Sequence, residues 1–97
     1  MLAMNSNLRI AQTTEGDITT LAVSGELDEA SCPALADCLA RHCRPGARIV
    51  LDLRPLNFMD CAGIELIHGA YVRSSLEGWA FAVMTAGERY IARRIAA

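Results

Sequence analysis

The apolar residues of this chain switch repeatedly between a spacing of two and a spacing of three and four, and that alternation limits the fold to a sheet interleaved with helices. Over residues 18–24, Leu21 and Val23 alternate with Thr20 and Ala22, which predicts a strand with one buried face. Gly16 and Asp17 suit a tight turn joining it to an earlier strand over 8–13, and Gly25 is expected to end it. From 31 to 43, Leu35, Cys38, Leu39 and His42 or Cys43 recur at helical spacing. Ser31 reads as the N-cap, Pro33 fits only the first turn, and Arg44-Pro45-Gly46 stops the helix. Residues 48–53 form a short apolar run rich in β-branched side chains, as a strand covered by helices should be. A second helix is predicted over 61–75, with Ile64, Ile67 and Tyr71 on one stripe, Leu66 and Ala70 beside it, and Gly78 as its breaker. Residues 79–85 predict the last strand and 87–97 a last helix. The expected order is β-β-α-β-α-β-α: an α/β fold with a mixed four-stranded sheet, the first strand antiparallel and the rest parallel, packed by three or more helices.

Ninety-seven residues, 53% of them apolar, suit a single domain with its core at about 8–95. Charged residues make up 21%, mixed in sign, and the net charge of -2 argues against a nucleic-acid binder, which needs a strong basic face. All nine basic residues are Arg, a bias that reflects codon composition more often than recognition. The N-terminus lacks the pattern of a signal peptide, and no apolar run approaches the roughly 20 residues of a membrane span. A cytoplasmic protein without membrane insertion is therefore expected. Cys32, Cys38, Cys43 and Cys61 form no C-x-x-C pair and no zinc pattern, and in a reducing compartment they act mostly as small apolar side chains. Nothing assembles into a nucleophile, base and orienting group, and a phosphate loop would need a Lys that the chain does not have, so neither catalysis nor a cofactor is expected.

Two landmarks follow in order: Val23-Ser24-Gly25-Glu26-Leu27-Asp28 at the end of the second strand, then residues 49–67, Ile-Val-Leu-Asp-Leu-Arg-Pro-Leu-Asn-Phe-Met-Asp-Cys-Ala-Gly-Ile-Glu-Leu-Ile. Together they resemble the STAS domain, the fold of bacterial anti-sigma-factor antagonists, over about 8–95. The resemblance implies a partner-binding surface at the start of the second helix and the preceding Gly-Glu-Leu-Asp loop, comprising Gly25, Glu26, Asp28, Asp60, Cys61, Ala62, Gly63 and Glu65. In typical antagonists the segment matching Asp60-Cys61-Ala62-Gly63 is similar to Asp-Ser-Ser-Gly. Its second serine is phosphorylated by the partner, an anti-sigma factor that is also a GHKL-type serine kinase. Phosphate adds nearly two negative charges to such an interface and releases the partner. Here Ala62 stands at that position and Cys61 at the first serine, so the usual switch cannot run there.

Each of these residues also has a plainer reading. Asp60 can cap the helix, a role worth on the order of 1 kcal/mol, and still contact a partner; Asp28 invites the same double reading. For Gly63, the resemblance implies close approach of a partner or a neighbouring backbone, whereas by itself it is a glycine tolerated in a first turn. Cys61 is a candidate redox sensor at a helix start, or simply an isostere of Ser. His42 follows Cys38 by one helical turn, but two candidate ligands do not make a metal site. Ser74 and Ser75 could accept phosphate in place of the missing serine, or serve as polar residues near a helix end. Arg89, Arg93 and Arg94 form a basic edge best read as a solvated face.

The function expected is a regulatory binding module similar to an anti-sigma-factor antagonist, without its phosphoacceptor. The alternative is a STAS subunit of a transporter-ATPase or stress-signalling complex. Completion of the surface by homodimerisation is a further expectation.

Overall fold

The computed structural model describes residues 7–85. Strand β1 (Leu8–Glu15) and strand β2 (Ile18–Leu27) form the expected hairpin around Gly16, whose φ of 62° suits the first central position of a two-residue turn. Helix α1 (Cys32–His42) follows, then β3 (Arg48–Asp52), β4 (Leu56–Met59), helix α2 (Cys61–Glu77) and β5 (Ala80–Met84). The predicted helix over 87–97, with Arg89, Arg93 and Arg94, lies outside the described residues.

The sheet has five strands rather than four, and the described residues hold two helices. Strand order is β1-β2-β3-β5, with β1 antiparallel to β2 and the β2–β3 and β3–β5 pairs parallel. The additional strand is β4. It pairs in parallel with Gly25, Glu26 and Leu27, while β3 pairs with residues 18–22, so β3 and β4 lie end to end along one edge of β2. Strand β2 thus runs past Gly25, correcting the expectation that it ends there. The register shifts between Gly25 and Glu26, and Gly25 takes a φ of 95°. A Cβ at Gly25 would strike the Asn7 carbonyl oxygen, which accepts from the Glu26 N–H at 2.7 Å. Only glycine supplies both that φ and that approach.

Between β3 and β4 the chain makes a turn fixed by Asp52. The Arg54 guanidinium donates to both of its carboxylate oxygens, Nε at 2.9 Å and Nη2 at 3.0 Å, and the Arg54 N–H adds a bond at 3.0 Å. These side-chain bonds hold the buried Asp52 carboxyl below its ordinary value of 3.8, against the opposing push of burial.

Both helices pack on one face of the sheet. Leu21, Leu27, Leu35, Leu39, Leu51 and Ile67 are fully buried there, each contributing roughly 1.5–3 kcal/mol by leaving water. Helix α1 buries the stripe its spacing predicts, Leu35, Cys38 and Leu39. Helix α2 does not: its buried residues are Gly63, Ile67, Ala70 and Ser74, while Ile64 is only half-buried and Tyr71 is exposed. The helix also runs two residues beyond Ser75, to a Gly78 C-cap with φ 79°, whose N–H bonds the Ser74 carbonyl.

Candidate functional site

The pairing of β2 with β4 delivers two loops to the same end of the sheet. Leu27 is the register partner of Met59, and the Asp60 N–H continues the ladder to the Leu27 carbonyl at 3.2 Å. The chain then turns into α2. Asp60 is its N-cap, with extended backbone and a carboxylate oxygen accepting from the Gly63 N–H at 3.2 Å, as the sequence predicts. Gly63 is buried, and a Cβ there would lie 2.6 Å from Met59 Cγ and 3.0 Å from Leu27 Cγ. The close approach at Gly63 is therefore to two side chains of its own fold. Its absent Cβ is what lets the helix start settle on the strand pair.

On the other side of Leu27, the Gly-Glu-Leu-Asp loop closes on Ser31. This serine stands at the N-cap position of α1 but does not cap it. Its backbone is helical there, and its hydroxyl turns backward, donating to the Glu26 carbonyl at 2.8 Å and accepting from the Asp28 N–H at 2.9 Å. The Ser31 N–H returns a bond to Asp28 Oδ1 at 3.0 Å. Asp28 is thus a structural brace for the loop as well as a half-buried member of the surface.

Seven of the eight expected site residues bear on these two adjoining loops or the first turn of α2, and Glu65 follows on the exposed flank of the helix. Glu26 and Cys61 are exposed, Ala62 and Asp60 half-buried. Cys32, in the first turn of α1, registers the local charge: burial pushes its thiol up, and Asp60, Asp28 and Glu29 push it further. The surface is therefore acidic. Sequence reasoning missed Phe58, the register partner of Glu26, which stands 51% exposed two residues before Asp60. A phenylalanine in an apolar run carries no signal that it will face water.

Other candidates separate from this site. His42 Nδ1 donates to the Cys38 carbonyl at 2.9 Å, and Nε2 meets the Gln12 side chain at 3.0 Å, so both ring nitrogens are engaged. All four cysteines are free thiols; Cys38 is buried, and burial pushes the Cys43 thiol up to about 11. Ser74 is buried, its hydroxyl donating to the Tyr71 carbonyl at 2.6 Å, which removes it as an accessible phosphate acceptor, whereas Ser75 is exposed. No helix among the described residues is long and apolar enough to cross a membrane.

The STAS domain family matches residues 9–94 of the chain. Among solved structures, an anti-sigma factor antagonist from Mycobacterium paratuberculosis is similar with a TM-score of 0.71 at 22% identity, over 98% of this chain and 80% of the other. Mglu is similar with a TM-score of 0.64 at 25% identity over 75% of this chain, but the match spans only 18% of Mglu. A protein of the DUF3478 family with a SpoIIAA-like fold, from Shewanella loihica PV-4, gives a TM-score of 0.55 at 20% identity over 96% and 82%. No curated protein sequence matches the chain.

Proposed function

The chain belongs to the STAS domain family, and on that premise we propose that it is a cytoplasmic regulatory module that acts by binding a protein and not by catalysis. Its partner is an anti-sigma factor or GHKL-type serine kinase, docked on the start of α2 and the loop that closes on Ser31. The observation that carries this reading is the junction at Leu27. The Asp60 N–H bond to its carbonyl and the seat of Gly63 against its side chain join two sequence-distant loops into one preorganised surface. Exposed Glu26, Glu29 and Glu65 rim that surface, and exposed Phe58 offers an aromatic anchor beside Glu26. The fitting partner surface is an apolar pocket with a basic rim.

Ala62 has no hydroxyl, so the module binds without being released by phosphorylation at that position. Any control acts elsewhere.

The test is capture from native cell extract with wild type and Ala62→Asp as baits. An anti-sigma kinase retained by wild type and lost with the added charge supports the reading. Capture of a transporter ATPase, or capture insensitive to the charge, overturns it in favour of a subunit of a transporter or stress-signalling complex.

A further inference from the structure

Helix α2 carries apolar residues on two sides. One side packs on the sheet, with the half-buried Leu66 at its edge; the other carries Ala62, Gly69, Val72 and Leu76, with Val72 42% and Leu76 79% exposed. With α1 this side forms a cavity of about 550 Å³, whose lining includes Ala36, Glu65, Leu66, Gly69, Val72 and Arg73. An apolar helix side left open to water is a candidate contact surface. Gly69 is notable for a different reason. It sits mid-helix, where glycine is less favourable than alanine, and a Cβ there would meet nothing within 4 Å. Nothing within the described fold requires that glycine.

Around Gly69 the exposed side is palindromic in chemistry. Glu65 and Arg73 lie four residues to either side, Leu66 and Val72 three, Ala62 and Leu76 seven. In an antiparallel helix pair related by a two-fold axis at Gly69, each residue faces its counterpart on the other copy. Glu65 then meets Arg73 of the second copy twice over, Leu66 meets Val72, and the protruding Leu76 fills the space above Ala62. Gly69 meets Gly69, letting the two backbones approach closely. This self-complementarity is the requirement of an isologous interface.

We propose that this side of α2 is a self-association surface, taken by a second copy of the same chain in antiparallel contact about Gly69. A single helix pair is at the small end of protein interfaces, so the dimer forms weakly. Because it covers Ala62 and Glu65, self-association competes with any partner at the start of α2.

Sedimentation equilibrium on the purified full chain tests this, with wild type, Glu65→Arg, Arg73→Glu and the double exchange compared over a concentration series reaching millimolar. Wild type is expected to dimerise, each single reversal to weaken association by about tenfold or more, and the double exchange to restore it, since like charges repel and the exchanged pair attracts. The proposal is overturned by a single-chain mass at every wild-type concentration, by a dimer indifferent to the single reversals, or by a double exchange no better than either single. Only the purified chain enters this measurement, so its failure leaves the reading of the partner site unaffected.

Discussion

The starts of the two helices lie side by side and handle their polar groups in opposite ways. At α1, Ser31 is fully buried and Asp28, Glu26 and Ser31 exchange hydrogen bonds among themselves, so the loop is closed. At α2, the Asp60 carboxylate accepts one bond, from Gly63, and the next residue, Cys61, faces water. Packing rather than polar closure holds that second start in place, through the seat of Gly63 on Leu27 and Met59. A start locked by packing from below can leave its upper surface open without losing its position. That is the condition for preorganised recognition, and it suits the α1 start to bracing and the α2 start to the recognition role proposed above.

Gly63→Val should break this arrangement most severely. Overpacking against Leu27 and Met59 costs about 3 kcal/mol, and the distortion falls on the recognition surface; urea unfolding together with partner capture should register loss of both stability and binding. Ser31→Ala comes next, at about 2 kcal/mol, because it strands the Asp28 N–H and the Glu26 carbonyl. Asp60→Ala should cost only about 1 kcal/mol as a lost cap. Measured on the same two scales, Ser31→Ala should show the larger stability loss and Asp60→Ala the larger binding loss at a temperature where both are folded. The reverse ranking would exchange the two roles assigned here.

The smallest effect should come from Asp52, which shapes the turn that delivers β4 and hence α2. Its folded-state pKa is depressed by the Arg54 side-chain bonds, so its contribution is fully present above the ordinary value of 3.8 and is lost as pH falls through the lowered one. Since the Arg54 side chain is 55% exposed, solvent screening keeps the contribution small. Urea midpoints followed from neutral to acid pH should show it in wild type and more weakly in Arg54→Gln, which loses the guanidinium bonds but keeps the backbone N–H bond.

The hairpin, α1 and the Gly78 stop were legible because each rests on local chemistry: a turn glycine, a first-turn proline, a left-handed C-cap. Strand β4 was not, since Leu56-Asn57-Phe58-Met59 follows a proline and has no alternation with a buried face. It exists because β2 continues beyond the end of β3 and offers a free edge. Tyr71 shares its predicted stripe with the buried Ile67 yet is exposed, because apolar residues lie on two sides of α2 and spacing alone does not say which side meets the sheet. Ser31 was legible as a cap position but not as a brace, because the direction of its hydroxyl depends on how the Glu26–Asp28 loop folds back.

By itself the sequence determined the alternation of strands and helices, the family resemblance and the absence of a hydroxyl at residue 62. Those are properties of local spacing and side-chain chemistry. Tertiary structure alone decided that Leu27 joins the two loops, that Gly63 is a seat and that Phe58 faces water while Leu27 does not. Burial and close approach are set by contacts between residues far apart in the chain, and no local pattern encodes them.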